Sequence, residues 1–504
     1  MSEHLKVVAK GALIVLIGTV LSKLFAYTHR VILAKGLGPE AYGIFSVCLA
    51  VVSILAAIAV FGTPSALERY IPLYNKDKSK TKGLILFVSK YASVFGIILF
   101  VLLLIFSKNL ADLFQNPGMA STLMIFAIAI PILAVLQISM SISKGFKNIV
   151  YPVMANNIIF PLGNLVLTII LIVLGYGLKS IAIAFLVANI LAVLFLVFKI
   201  HKKLFSITQK VKPVLAHAEI LAFSVPLLFV TLFFFVIQWT DTILLAYFLP
   251  EQIVGLYNAA VPTASLLYVV PSLLIALLLP VLSELLAKKN GEEISRLFKT
   301  VVYWITLANL PVLLFFITAA TMILRLLFGE IYTAASTAFI ILSLGLFVYS
   351  VFLPTITMLQ LYKKTKYIFV ITAVCALGNV ALNILLIPVY GMNGSAIASA
   401  ISWISISILA VARLFMITRV MPFSWSMIKS MALVLLIFTP LYIVYRTVLT
   451  QNLLWVAVSG VLFVIFYLPL SYKFVLTDTD KELLSSLLLK VRGLFKRNHK
   501  TRGA

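Results

Sequence analysis

The chain has 504 residues, of which 63% are hydrophobic and 11% charged, whereas soluble domains are roughly half apolar and about a quarter charged. This composition excludes a soluble globular protein and predicts an integral membrane protein. The net charge of +25 also occurs in nucleic-acid-binding proteins. Here the basic residues concentrate in alternate loops, which is the pattern of membrane topology, so we exclude nucleic acid as a partner.

Apolar runs near twenty residues long recur along almost the whole chain, and this length crosses about 30 Å of hydrocarbon. We count about fourteen such runs. They begin near Val7, Tyr42, Gly83, Gly118, Pro152, Ser180, Glu219, Gly255, Phe298, Ala334, Tyr367, Ser395, Met427 and Leu453. The runs are continuous rather than short and alternating, so the predicted fold is an all-α membrane bundle and not a β-barrel.

The two halves of the chain repeat the same pattern at an offset of about 211 to 215 residues. The matching segments are Pro39-Glu40 and Gly43 with Pro250-Glu251 and Gly255, Leu162-Gly163-Asn164 with Leu377-Gly378-Asn379, and Ala182-Ile183-Ala184 with Ala396-Ile397-Ala398. The offset covers six spans, and an even number means that both copies enter the membrane in the same direction. We therefore expect two parallel six-helix lobes, related by a pseudo-two-fold axis along the membrane normal.

The predicted organisation has five parts. These are an N-terminal six-helix lobe at 1–200, a basic connector at 201–217, a second six-helix lobe at 218–420, transmembrane helices 13 and 14 at 421–474, and a basic amphipathic tail at 475–504. The tail has the spacing of a capping box at its start and is expected to lie on the inner leaflet. Because the even-numbered loops carry the Lys and Arg residues, we expect a multi-pass protein of the cell membrane with both termini in the cytoplasm.

Charged residues inside a span are the strongest candidates for function, because each costs about 2.5 to 3.5 kcal/mol at a helix centre. Lys23 and Arg30 are spaced to share one helix face with Thr19 and Tyr27. This stripe, together with Lys90 of the third span, predicts a site that binds anionic groups and sugars. The alternative is that these cations extend along their spans to the lipid headgroups.

Gate residues are predicted at both mouths. The repeat alignment places Asp241 opposite Arg30, so we expect an ion pair that closes the outer mouth and breaks when the lobes separate. Glu68 and Arg69 end the second span, and Glu284 ends the eighth. These residues predict an inner gate, although charged residues are common at such helix ends without a special role. Asn164 and Asn379 are expected to serve in helix packing.

Enzymatic chemistry finds no support in the sequence. The acidic residues are too few and scattered for a catalytic pair, no histidine cluster fits a metal, and no nucleotide-binding loop occurs. We therefore predict a transporter with no catalytic residues, no cofactor and no metal site. The residues identify no coupling ion.

Three segments carry a resemblance to a known family: the stretch 33–46 (LAKGLGPEAYGIFS), Gly62 with Glu68-Arg69-Tyr70, and the stretch 391–398 (GMNGSAIA). The chain resembles the Wzx-type oligosaccharide and polysaccharide flippases of the multidrug/oligosaccharidyl-lipid/polysaccharide (MOP) exporter superfamily. The resemblance covers nearly the full chain. It implies translocation of a polyprenyl-(di)phosphate-linked oligosaccharide from the inner to the outer leaflet by alternating access, for surface glycan assembly.

The same resemblance implies partners. They are the lipid-linked oligosaccharide, membrane lipids, and glycosyltransferases or a polymerase of the same pathway. The cations of the first span would then meet the lipid phosphate, while aromatic residues such as Tyr27 stack on sugars.

Three alternatives stay open. A cation-coupled multidrug antiporter requires acidic residues deep in a lobe, and Asp241 is the one available. A lipid II flippase differs only in the headgroup that it carries, so charge does not exclude it. A membrane glycosyltransferase or polymerase is disfavoured by the missing carboxylates and by the absence of a large outer loop.

Overall fold

The computed structural model describes residues 3–74, 77–206, 211–214, 217–288, 290–423, 425–448 and 467. Every regular element in this part of the chain is a helix, which confirms the predicted all-α fold. The α-helices are α1 (Glu3–Ala59), α2 (Thr63–Leu73), α3 (Lys78–Leu113), α4 (Met119–Ala127), α5 (Ala129–Gly145), α6 (Val150–Val153), α7 (Phe160–Val173), α8 (Leu178–Lys199), α9 (His217–Phe248), α10 (Glu251–Ala264), α11 (Val269–Ala287), α12 (Gly291–Thr318), α13 (Ala320–Phe328), α14 (Ser336–Leu361), α15 (Thr365–Tyr390), α16 (Met392–Thr418) and α17 (Trp425–Val448).

Short segments of other helical type complete the spans. π-helical turns lie at Met154–Ile159 and Ile200–Leu204, and 3₁₀ turns lie at Ser265–Tyr268 and Glu330–Ala335. Such turns commonly occur where a helix bends or carries a functional group.

Among the described residues, ten helical segments are long and apolar enough to span a bilayer, and an eleventh is added if the bent pair Glu219–Phe233 and Phe235–Phe248 is one span. Helix α1 contains two predicted spans. Gly38, at φ 81° and ψ 172°, interrupts the helical backbone between them, a conformation that glycine adopts without steric cost. The total of about fourteen spans remains a prediction, because the last one, near Leu453, lies outside the described residues.

The chain divides into two compact units. The first contains the described residues up to 266 together with 323–345 and 365–406. In it, α1 packs against α3, α5, α7, α9 and α10, and α9 packs against α15. Residues from both predicted lobes therefore contribute to one unit, while the predicted lobe boundaries, 1–200 and 218–420, stay a prediction.

The second unit contains residues 267–322 and 346–364 and the described residues from 407 onwards. Helix α12 packs against α11 and α17 there. The Asn309 side chain donates to the Leu267 carbonyl oxygen at 2.7 Å and lies 2.9 Å from the Ser350 hydroxyl, so it ties three parts of this unit together.

The repeats contact each other through glycines inside the first unit. A Cβ atom on Gly43 would overlap the carbonyl oxygen of Glu251, and a Cβ atom on Gly255 would overlap the carbonyl oxygen of Pro39. Gly43 thus faces the backbone of Glu251, one helical turn before Gly255. In the same way, Gly255 faces the backbone of Pro39, one helical turn before Gly43. This reciprocal contact is the one that a local two-fold axis produces, and it requires positions without side chains.

The end of the bundle that carries the basic loops is called here the basic end, and it includes Lys144 and Lys147. The connector between the repeats lies there. Its Val214 amide donates to the Ser79 carbonyl oxygen at 3.2 Å, and the Val214 carbonyl occupies the space where a side chain on Gly83 would lie. The tail at 475–504 lies outside the described residues.

Candidate functional site

The predicted stripe of α1 is fixed at two positions. The Asn157 amide donates to the Thr19 hydroxyl at 3.5 Å. The Tyr27 hydroxyl lies 3.0 Å from the Thr263 hydroxyl of α10, in the second repeat. Lys23 lies exposed between these two contacts. Thr19 is thus held by the first repeat and Tyr27 by the second.

The two cations of the stripe have no acidic partner in the described part of the chain. Arg30 lies beside Tyr42 and within electrostatic reach of Lys23. The ion pairs between described residues involve neither of these cations. Positive charge inside a span is costly when it has no counter-ion. The stripe is therefore complementary to an anionic group such as a phosphate.

A buried polar cluster in the first repeat centres on His29, which is 6% exposed. Its Nε2 atom lies 3.1 Å from the Thr168 hydroxyl and 3.2 Å from the Asn164 amide nitrogen, both on α7. One imidazole nitrogen is thus shared between a hydroxyl group and an amide group of α7. The Phe45 ring lies 6.0 Å from the imidazole. We call these residues the His29 cluster.

The second repeat holds a cluster around a carboxylate, Asp241 of α9, which is 9% exposed. Its Oδ2 atom accepts hydrogen bonds from Tyr257 at 2.5 Å and from Ser399 at 2.6 Å. Its Oδ1 atom accepts from Asn383 at 3.0 Å, and Asn379 donates to Ser399 at 3.3 Å. Both oxygens of the buried carboxyl group therefore have hydrogen-bond partners. We call these residues the Asp241 cluster.

The predicted Arg30–Asp241 ion pair is absent among the described residues of this structure. Neutral donors of α10, α15 and α16 hold Asp241 instead. The structural counterpart of Asp241 is His29, because both lie on the first helix of a repeat and bond to its fifth. The structure therefore aligns His29 with Asp241, whereas sequence identity aligns Arg30 with Asp241. The two alignments of these first helices differ by one residue.

Burial supports this corrected register. Leu33 and Ala34 are fully buried, and so are Leu245 and Ala246, the residues that the shifted register places opposite them. One residue is about 100° of rotation around a helix axis, so a one-residue error moves a side chain to another face. This rotation explains why Arg30 and Asp241 do not have equivalent positions.

The predicted inner-gate residues separate into different contacts. The Arg69 guanidinium lies 4.5 Å from the centre of the Phe223 ring of α9, and Tyr70 packs edge-on against the same ring. Glu68 instead bonds within its own repeat, to Ser141 at 3.1 Å and to Lys144 at 3.2 Å. Arg69, and not Glu68, thus joins the two repeats at the basic end.

Glu284 forms an exposed ion pair with Lys288, at 2.7 Å, in the second unit. The hydrogen bond that Lys288 donates to Glu284, together with the negative charge of Glu284, raises the pKa of Lys288. Lys90 is exposed on α3 and makes no hydrogen bond or ion pair to the α1 stripe in the described chain. The roles predicted for Glu284 in a gate and for Lys90 in binding stay predictions.

Sequence reasoning missed six residues of the clusters, namely His29, Phe45, Thr168, Tyr257, Asn383 and Ser399. Two signals were present. His29 is a histidine inside an apolar span, and Asn383 follows the repeated Asn379 by one helical turn, on the same face. Asn164 and Asn379, which the repeat singled out as residues of helix packing, form hydrogen bonds between helices within these clusters.

Two protein families match parts of the chain. Residues 8–286 match "Polysaccharide biosynthesis protein" and residues 226–385 match "MatE". The "Uncharacterized membrane protein MJ1068" of Methanocaldococcus jannaschii is 25% identical over 395 residues, which are 75% of this chain and 78% of that protein.

Two solved structures have a similar fold. "Lipid II flippase MurJ, inward closed conformation" has a TM-score of 0.73 at 20% identity and covers 91% of this chain and 98% of that chain. The second is described as "Inward-facing conformation of a multidrug resistance MATE family transporter of the MOP superfamily". It has a TM-score of 0.67 at 17% identity, and the match covers 81% of this chain and 98% of that chain.

The fold of the described helices is that of these two solved structures, and the protein is a multi-pass membrane protein of this fold. More particularly, the first family match covers more than half of the chain, and the protein belongs to the polysaccharide biosynthesis protein family. This membership confirms the family resemblance noted in the sequence.

Proposed function

We propose that the protein is a flippase that moves a polyprenyl-(di)phosphate-linked oligosaccharide from the inner to the outer leaflet of the cell membrane. Both termini would lie in the cytoplasm, where the basic loops would also lie. The observation that carries the proposal is the α1 stripe, in which Lys23 and Arg30 lie without an acidic partner among the described residues. The family to which the chain belongs supports the same substrate class.

The chemistry of such a substrate fits the stripe. A phosphate or diphosphate accepts charge-assisted hydrogen bonds from Lys and Arg, and these are roughly twice as strong as neutral ones. Tyr27 offers an aromatic face and a hydroxyl group on the same helix side, which are the groups that sugars contact. The polyprenyl chain can stay in the bilayer, so the protein has to enclose only the polar headgroup.

Alternating access requires a contact between the repeats at each mouth, formed in turn. Two contacts support this mechanism. Gly43 and Gly255 pack backbone against backbone on one side, and Arg69 packs on Phe223 at the basic end. We infer that separation at Arg69 opens the inner mouth and that separation at the glycines opens the outer mouth. A rigid-body rocking of the repeats would accomplish both.

A specific observation also favours coupling to an ion gradient. The Asp241 cluster offers only oxygen ligands, and the Asn383 Oδ1 atom is buried without a hydrogen-bond partner in the described chain. Such groups suit a proton or a small hard cation. The same observation is the strongest support for the rival function, a cation-coupled multidrug antiporter.

Transport by purified protein in liposomes distinguishes these functions. A fluorescent polyprenyl-diphosphate oligosaccharide is first placed in one leaflet of the vesicles. Vesicles that contain the protein should distribute it rapidly over both leaflets, and vesicles without the protein should not. Efflux of a cationic dye driven by an ion gradient, with no movement of the lipid-linked sugar, would reverse the assignment. Movement of lipid II alone would replace the oligosaccharide lipid with the cell-wall precursor as substrate.

A further inference from the structure

A cavity of about 160 Å³ lies between α3, α5 and α8, separate from the stripe and from both polar clusters. It lies toward the basic end of the bundle. Helix α3 provides Ser89 and Ala92, α5 provides Ile138 and Ser139, and α8 with its final π turn provides Val197 and His201. None of these residues takes part in the mechanism proposed above, so the cavity needs an explanation of its own.

The cavity borders the surface that faces lipid. Val197, one of its lining residues, is 44% exposed, and the neighbouring Phe198 is 57% exposed. On α3, Val94 and Ile97 are likewise exposed. Large exposed apolar side chains on membrane-length helices indicate contact with hydrocarbon. A chain from the bilayer can therefore enter the cavity between α3 and α8.

Ser139 lines the cavity and is 4% exposed. Its hydroxyl group has no hydrogen-bond partner in the described part of the chain. Other buried helical serines here, such as Ser224, Ser343 and Ser402, donate to the carbonyl oxygen one turn earlier. Ser89 is also without a partner among the described residues. Two hydroxyl groups thus face the cavity and can bond to oxygen atoms of a ligand.

The charge at the rim of the cavity is positive. His201 is followed by Lys202 and Lys203, all exposed, and Lys90 follows Ser89 on the opposite wall. The Lys202 ammonium lies 5.5 Å from the centre of the Phe198 ring, so this side chain runs back along the apolar surface, as lysines do at a membrane interface. The sequence has no acidic residue from 113 to 218.

We propose that this cavity is a binding site for an anionic glycerophospholipid of the inner leaflet, distinct from the transported substrate. One acyl chain lies on Ile138 and Val197. The ester oxygens accept hydrogen bonds from Ser89 and Ser139, and the phosphate lies among the cations at the rim. Basic pockets between transmembrane helices on the cytoplasmic side are known to recognise anionic headgroups. We call this site the phospholipid crevice.

Native mass spectrometry of the full chain tests the proposal. The protein is reconstituted in nanodiscs of equal parts phosphatidylglycerol and phosphatidylcholine, and the lipids that it retains are counted. We expect retained phosphatidylglycerol to exceed phosphatidylcholine. Lys202→Ala should lower this preference about fivefold, the factor that corresponds to about 1 kcal/mol for one basic residue near the surface. The matched control, Lys363→Ala, removes an exposed lysine of another basic loop and should leave the preference unchanged.

A second variant tests the cavity itself. Ser139→Leu fills the space and should abolish retention, while Ser89→Ala, at a partly exposed position, should weaken it and leave folding intact. A phosphatidylglycerol with a photoreactive acyl chain should label peptides that contain Ser139 and Val197. Equal retention of both lipids, an equal effect of Lys363→Ala, or preferential labelling by a polyprenyl phosphate would each overturn the proposal.

Discussion

The His29 cluster and the Asp241 cluster have corresponding places in the two repeats but opposite electrostatic character. In each, the first helix of the repeat bonds to an asparagine-containing face of the fifth, through Asn164 in one case and through Asn383 in the other. The first cluster surrounds a neutral imidazole. The second surrounds a carboxylate that accepts three hydrogen bonds.

The surroundings of the two clusters differ in a way that explains this contrast. Tyr257 and Ser399 donate to Asp241, whereas the repeat places Phe45 and Phe185 at the corresponding positions. Both phenylalanines pack against Phe126, with ring centres 5.4 Å away in each case. The same scaffold therefore supports a charge in one repeat and excludes it from the other. Differences between aligned positions, rather than shared residues, indicate where function lies.

The largest effect is expected when a charge is placed in the repeat that lacks donors for it. His29→Asp should lower the free energy of unfolding by about 3 to 5 kcal/mol, because Phe45 and Phe185 stand where Asp241 has two of its hydrogen-bond donors. Thermal unfolding in detergent measures this. Adding Phe45→Tyr to His29→Asp should recover part of the loss. No recovery would contradict the assigned correspondence between the clusters.

Removing the negative charge of Asp241 from the second repeat should abolish the coupling of transport to an ion gradient. Asp241→Asn keeps the shape of the side chain but removes the negative charge that would hold a proton or cation. We expect flipping in liposomes to lose its dependence on an imposed ion gradient. His29→Gln, the matching change in the first repeat, should leave that dependence intact. If both variants respond to the gradient like the unaltered protein, Asp241 has no role in coupling.

Two buried tyrosines test the strength of the hydrogen bond to Asp241. Tyr257→Phe removes a donor to a carboxylate and should cost about 1.5 to 3 kcal/mol of unfolding free energy. Tyr332→Phe removes a hydrogen bond of 2.9 Å to the neutral carbonyl oxygen of Ala34, so it should cost about 1 kcal/mol. Equal losses in denaturation experiments would indicate that Asp241 is uncharged in the folded protein.

The smallest effect is expected within the His29 cluster. Thr168→Val keeps the side-chain volume but removes one neutral hydrogen bond to the imidazole, which should cost about 0.5 to 1.5 kcal/mol. Asn383→Leu at the corresponding position of the other repeat should cost more, because it removes a donor to a charged group. The reverse order in unfolding measurements would contradict the contrast between the two repeats.

Much of the fold follows from the sequence, because long apolar runs and a repeated pattern are determined by the bilayer itself. The candidate site was only partly predictable. Lys23 and Arg30 were found because charges inside a span stand out, and Thr19 and Tyr27 because they share the same helix face. The ion pair of Arg30 with Asp241 does not form in this structure, and alignment by identity cannot fix the helix rotation that decides such a contact. His29 was missed since a neutral buried histidine resembles any other polar residue of a packed helix.

The central claim is that the cations of α1 bind the phosphate of a lipid-linked oligosaccharide. Flipping of the fluorescent polyprenyl-diphosphate oligosaccharide by the Lys23→Ala and Arg30→Ala variants tests it most directly, with Lys179→Ala as the matched loss of an exposed lysine. We predict that each stripe variant lowers the flipping rate about tenfold or more, since one charge-assisted hydrogen bond contributes about 1.5 to 3 kcal/mol, and that Lys179→Ala has no effect. Unchanged flipping in both stripe variants, with folding intact, would contradict the account.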